Sequence, residues 1–487
     1  MVQRFGFSVP GWLQKNPEPE TLNPKSKTMN KKHTPRSLSR RNFLKRGGAG
    51  LASAALLPAT ATATPAAPAI IRRQTDLVFT FGPDDSGTLQ ALIDAFNRAH
   101  SGDIRVTWRV MSPITDTYYR HLESDFAAGA ADMDIIGADV VWTAAFARNR
   151  WVRDLSRRFH SAYDPDDFLE ASLTSAVYRF KVWGVPWYPD AGMLYYRKDL
   201  LEQNGFPNPP TTWDELKRMA RTIQQSAGVP HGFVFQGAEY EGGVANALEF
   251  IWNAGGRVLT GNLSVAGSFG QVVLDPNVIT VNSAEAARGL DTARSLVTEG
   301  VTPTAVTDFR ERDTHEAFLS GNAVFMRNWP YPYGLLTDPA MSQITPEQVG
   351  VAALPTVAAG ARSFSCLGGW NLMINAEANR QKRDAAWTFI QFAVDAAQQR
   401  RRALDGGFLP SLRSLYDDQQ ILQSVPVIAL GKEAITNVRA RPISPFYMQI
   451  APRIARAFTR VLRGDVTGAQ AVAALQQELQ TILRRNR

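Results

Sequence analysis

VWGVPWYPDAGMLYYRKDL, residues 182–200, begins as an apolar run, breaks at Pro186 and Pro189, and resumes through Met193, Leu194, Tyr195 and Tyr196. Proline has no backbone donor, so the run cannot be one central strand throughout. The expectation is a strand that leaves one sheet, turns, and enters another. At the break stand Trp187, Tyr188 and Asp190, two flat aromatics and a carboxylate. A cleft that grips a sugar uses such groups, because apolar faces stack while hydroxyls hydrogen-bond.

On the N-terminal side, residues 77–81 read as a strand, followed by a turn through Asp84, Asp85, Ser86 and Gly87. Leu89, Leu92, Ile93 and Phe96 then recur at helical spacing, and Ile104, Val106, Trp108 and Val110 alternate as a strand should. A helix near 117–128, a short strand at 134–136 and a helix from about Trp142 continue the alternation. Strands alternating with helices imply βαβ units and a mostly parallel sheet. Ligands of such sheets bind beyond the carboxyl ends of strands, where residues 84–87 and 138–142 fall.

On the C-terminal side, Thr212 and Glu215 form a T-x-x-E capping box opening a helix to about Ser226. The glycines of residues 237–246 are read as a loop before another helix, since no phosphate-loop or dinucleotide spacing is present. Helices follow at 284–299 and 314–319, then an apolar strand at 323–326 stopped by Asn328-Trp329-Pro330. A strand opens with Gly368-Gly369-Trp370, and a helix covers 385–397. Two amphipathic helices near 450–462 and 469–483 close the chain, which has no internal repeat.

The 487 residues suffice for two domains, and their net charge of +8 is unevenly placed. Residues 1–69 hold eleven Lys and Arg against two Glu, leaving 42 basic and 43 acidic residues in 70–487. A near-neutral body argues against a nucleic-acid partner. The lone Cys366 excludes an internal disulfide and any cysteine-built metal site, and suits a small buried position. Ser39-Arg40-Arg41-Asn42-Phe43-Leu44-Lys45 matches the twin-arginine export signal. A mild apolar stretch and Ala67-Pro68-Ala69 follow it. The expectation is export by the twin-arginine (Tat) export machinery to the periplasm or exterior, without lipid anchoring, Met29 being a candidate true start.

Several separated motifs together resemble the extracellular solute-binding proteins of ABC importers, in particular the branch that binds maltose and trehalose. Residues 184–200 resemble its G-x-P-x-x-x-D-x-x-x-L-Y-Y-x-K-D-L pattern, and Thr212-Trp213-Asp214-Glu215-Leu216 its T-W-D-E-L. Phe318 through Gly321 to Met326, then Trp329, Leu354-Pro355 and Gly368-Gly369-Trp370 follow in the family's order. The resemblance implies an α/β, two-lobe periplasmic-binding-protein fold with mostly parallel sheets and several chain crossings at the hinge. After the 1–69 extension and signal, residues 70–189 and 368–405 would form one lobe, and 190–367 and 406–487 the other. It further implies a monomeric, non-enzymatic protein with no cofactor or metal, whose partners are a saccharide and the permease subunits of an importer.

The resemblance assigns ligand contact to Asp139, Tyr188, Asp190, Trp329, Gly368, Gly369, Trp370 and Arg441. Asp85 stands in a first loop where the family often carries Glu. Plainer readings exist for each: a turn aspartate at 190, a helix cap at 139, a core plug at 329, a solvated surface arginine at 441. Carboxylates only accept and guanidinium groups only donate, so paired across a cleft they satisfy a hydroxyl in both senses. That chemistry favours a neutral di- or oligosaccharide over a phosphorylated one. Two carboxylates in a sugar cleft also describe a glycoside hydrolase, the rival class. Redox and zinc chemistry lack C-x-x-C, dinucleotide and H-E-x-x-H motifs.

Overall fold

The computed structural model describes residues 74–129, 132–265 and 271–486. The export signal lies outside the described residues. Among the described residues fourteen strands follow in order: β1 Thr75–Phe81, β2 Ile104–Val110, β3 Ile135–Asp139, β4 Val177–Tyr178, β5 Lys181–Val182, β6 Val185–Ala191 and β7 Met193–Arg197. The second half holds β8 His231–Val234, β9 Leu259–Val265, β10 Gln271–Ile279, β11 Ala323–Asn328, β12 Val349–Ala352, β13 Ser365–Ile374 and β14 Val438–Arg439.

One sheet runs β14-β13-β3-β1-β2, with β6 added against β13; a second runs β12-β7-β11-β8. The α/β two-lobe expectation holds, with more antiparallel pairing than expected. β1 is parallel to β2 and β3, while β13 lies antiparallel to both β3 and β6. In the second sheet β8 and β11 are parallel, and β7 and β12 antiparallel. The extra antiparallel pairs come from two strands, β13 in the first sheet and β7 in the second, each running against both of the neighbours named here.

Leu77, Phe79 and Phe81 alternate inward on β1 and pack with Leu89, Leu92, Ile93 and Phe96 of the helix Thr88–Ala99 and with Phe389 and Ile390 of the helix Arg380–Ala393. Around the second sheet, the helices Trp213–Ala227, Glu241–Asn253, Ala284–Thr298, Tyr447–Arg463 and Gly468–Arg485 bury their apolar faces together. The capping box forms as expected, Thr212 accepting from the Glu215 amide and the Glu215 carboxylate from the Thr212 amide.

Four local expectations are corrected. Pro186 and Pro189 do not break the strand; both lie inside β6. β6 is tolerant because it pairs with β13 alone, so missing donors leave no second ladder unsatisfied. The register slips at Trp370/Asn371, where Trp187 has no partner on β13, and that extra residue turns its indole into the core between Phe79 and Phe81. Trp187 is therefore a core residue and not a cleft platform. Gly242 and Gly243 belong to the helix Glu241–Asn253 rather than a loop, and position 243 must be glycine because a Cβ there would lie 2.1 Å from the Ala238 carbonyl oxygen. Gly368, Gly369 and Trp370 lie inside β13, which starts at Ser365.

Candidate functional site

The middle of β13 gathers most of the expected residues. Gly368 pairs with Asp190, Gly369 with Pro189, and Trp370 with both Tyr188 and Asp139. Gly369 adopts φ +110°, and a Cβ there would sit 2.3 Å from the Tyr188 carbonyl oxygen. Only glycine fits that conformation without strain. A Cβ at Gly368 would fall 2.9 Å from the Trp329 ring and 3.0 Å from the Asp190 Cβ, so this glycine brings platform and carboxylate together.

Trp329 follows β11 directly and is half-buried. Its Nε1 donates to Glu311 Oε1 at 3.4 Å, and its carbonyl accepts from the Tyr195 hydroxyl at 2.8 Å. Trp370 is also half-buried, its ring edge-on to Phe81 and Trp142 at 4.9 and 5.7 Å and stacked with Tyr118 at 6.0 Å. Tyr188 packs edge-to-face on Phe408.

Asp139 ends β3 and does not cap the following helix, whose N-cap is Trp142. Oδ1 accepts from the Val141 amide at 3.1 Å as a turn aspartate would, and also from Arg441 Nη2 at 2.8 Å. Arg441 is 4% exposed, so it is not a surface arginine. Its Nη1 donates to Glu241 Oε1 at 2.5 Å, an oxygen that also accepts from the Tyr447 hydroxyl. The Glu241 amide in turn donates to Asp116 Oδ2 at 3.2 Å. The chain of contacts thus runs from β3 and the helix Thr115–Ala127 beside the first sheet to the helices Glu241–Asn253 and Tyr447–Arg463 beside the second.

Asp190 is different. No donor among the described residues bonds its carboxylate, which senses Arg327, Arg402 and Arg441 only at longer range. Burial, reinforced by the Asp139 charge, pushes its pKa up to about 7 against the pull of those three arginines. Burial likewise raises Glu241 to about 8, with Asp139 and Asp116 adding to it and Arg441 opposing. Asp139 is raised by burial and held back by Arg441.

Asp85 stands apart from this cluster. It is exposed, while its neighbour Asp84 is consumed in capping the helix Thr88–Ala99, accepting from the Leu89 amide at 2.6 Å. The Asp85 charge still reaches Arg312, His315 and Tyr331 beside the second sheet.

Sequence reasoning missed Glu241, Asp116, Arg402 and Glu311. Arg402 lies among three rings, its guanidinium carbon 4.1, 4.9 and 4.2 Å from Trp187, Tyr188 and Phe408. It also missed Arg327, for which a signal was present: a charge inside the otherwise apolar run 323–326 and Trp329.

The sequence profile of the bacterial extracellular solute-binding proteins matches residues 82–400. The chain belongs to that family. A probable ABC transporter-binding protein of Deinococcus radiodurans is 32% identical over 369 residues, covering 74% of this chain and 82% of the relative. Maltose-bound MalE3 of T. maritima superposes with a TM-score of 0.76 at 32% identity, over 84% of this chain and all of that one. A ribitol complex of a solute-binding protein from Agrobacterium radiobacter K84 gives 0.72 at 25% identity, over 84% and 98% of the two chains. Among the described residues no helix is long and apolar enough to cross a membrane.

Proposed function

We propose that the protein is the capture component of an ABC importer, holding a neutral di- or oligosaccharide between two lobes and presenting it to the membrane permease. The observation that carries this reading is Asp190: an unbonded carboxylate beside Trp329 and Gly368, at the strand where the chain passes between sheets. A saccharide hydroxyl donates to such a carboxylate while an apolar sugar face stacks on the indole. Asp139, Tyr188, Gly368, Gly369, Trp370 and Arg441 complete the site, with Asp85 at its rim. Relatives that bind maltose and ribitol support a polyhydroxylated ligand. In this reading residues 70–189 and 368–405 form one lobe and residues 190–367 and 406–487 the other. Ligand bridges both and shifts the population toward closure. Export by the twin-arginine route places the protein, unlipidated, where the permease can meet it.

A second reading has one observation in its favour. A carboxyl group still protonated near pH 7, as at Asp190, is what a glycoside hydrolase requires of its acid. Titration of tryptophan fluorescence with maltose, trehalose, mannitol and ribitol separates the two. A saturating change with intact sugar recovered is the expected result, and Asp190→Ala removes it without lowering the unfolding temperature greatly. Released monosaccharide makes the protein a hydrolase; no saturable response to any of them ends the saccharide reading.

A further inference from the structure

Arg327 ends the apolar run of β11 and is 2% exposed, and Glu249 on the helix Glu241–Asn253 is 3% exposed. The pair is bidentate: Nε donates to Glu249 Oε2 at 2.7 Å and Nη2 to Oε1 at 2.6 Å, while Nη1 donates to Gln236 Oε1 at 3.1 Å. Every guanidinium nitrogen is thereby directed. The flat face that remains lies against the Trp329 indole, with Cζ 4.0 Å from the ring centroid. The guanidinium thus covers one face of an indole that is only half-buried.

The same carboxylate lies against the β6–β7 junction and the start of β13. Glu249 Oε1 accepts from the Cys366 amide at 2.9 Å, near the start of β13. A Cβ on Gly192, the one residue between β6 and β7, would lie 2.0 Å from Glu249 Oε1 and 2.5 Å from Arg327 Nη2. The Gly192 carbonyl accepts from Ser365 Oγ at 2.6 Å, closing the arrangement. A buried ion pair of this kind is poor value for stability alone, since apolar side chains of equal volume would serve as well.

We infer that Arg327 is a positioning residue for the saccharide: clamped by Glu249 and keyed to the hinge at Gly192 and Cys366, it fixes the Trp329 indole as the stacking face. The inference rests on the saccharide-binding function proposed above and adds the residue that orients its platform. Lysine cannot replace it, because a compact ammonium has neither the fork nor the plane.

The test is a double-mutant cycle on the full exported chain, with maltose, trehalose and mannitol as probes and urea midpoints recorded alongside. Arg327→Lys is expected to weaken binding about tenfold where Trp329 is present. In a Trp329→Leu background the same change should alter affinity less than twofold, since nothing remains to position. Glu249→Gln follows the same pattern and serves if Arg327→Lys does not fold. Gly192→Ala, which displaces the pair, does so for a third variant. Indole emission of the ligand-free protein shifts with Arg327→Lys only when Trp329 is present. Equal losses in both backgrounds, or no loss with Trp329 intact, overturn the inference and leave the proposed function standing. A parent protein that binds none of the probes overturns both.

Discussion

Arg441 and Asp139, 302 residues apart in the chain, are joined by a 2.8 Å charge-assisted hydrogen bond, both side chains being less than one-tenth exposed. The other arm of the same guanidinium is held by Glu241. One arginine therefore bridges two buried carboxyl groups, one from a strand of the first sheet and one from a helix beside the second.

Replacing Arg441 by Met leaves Asp139 and Glu241 buried without their cation. Loss of one partner of a buried pair costs about 3–5 kcal/mol. Urea unfolding of Arg441→Met should show a loss of that size, and adding Asp139→Asn and Glu241→Gln should restore part of it. A midpoint unchanged in the single variant would mean that the three groups do not depend on one another.

Acidity should matter in the direction opposite to that of surface carboxylates. Asp190, at about 7, and Glu241, at about 8, are raised above the roughly 4 of an unfolded chain. The folded state then binds more protons than the unfolded one between those values, so stability falls as pH rises. The contribution is complete below about pH 4 and lost as pH passes through 7 and 8. Calorimetry from pH 5 to 9 on the ligand-free protein should show a declining melting temperature, and Asp190→Asn with Glu241→Gln should flatten the slope.

Two glycines with positive φ separate strain from crowding. Gly102, at φ +85°, has open space where a Cβ would go, so Gly102→Ala should cost only the left-handed penalty, about 1–2 kcal/mol. Gly369, at φ +110°, faces the Tyr188 carbonyl oxygen 2.3 Å away, so Gly369→Ala must also push β6 from β13. The expected order of melting temperatures is parent, Gly102→Ala, then Gly369→Ala, and saccharide affinity should fall only in the last.

Thr212→Ala removes one half of a reciprocal cap at the head of the helix Trp213–Ala227. A stability loss of about 1 kcal/mol is expected from thermal melts, with saccharide affinity unchanged.

Much of this protein was legible in one dimension. The strand at 77–81, the helical spacing of Val472, Leu475, Leu479 and Ile482, and the box at Thr212 and Glu215 all form as read, whereas the alternation of β2 fails at its end, where Val110 is exposed. Each is a local pattern, and burial of one face or satisfaction of one helix end is decided by neighbours within a few residues. Among the candidate site residues, Asp190, Trp329, Gly368 and Trp370 were found through motifs and do lie around β13. The run 182–200 announced its change of sheet, but the prolines pointed to the wrong residue: the chain passes from one sheet to the other at Gly192, without a turn. Whether a proline is tolerated depends on how many neighbours a strand has, and sequence alone does not count neighbours.

What only the tertiary structure decided is which charge meets which. Glu241 and Arg441 are 200 residues apart, and Arg327 and Glu249 are 78 apart. Periodicity reveals that a side chain is buried, never who shares the burial. In a fold whose chain passes repeatedly between two sheets, the partner of a buried ion is set by topology, because desolvation forces a charge to find its opposite wherever the crossing strands bring one.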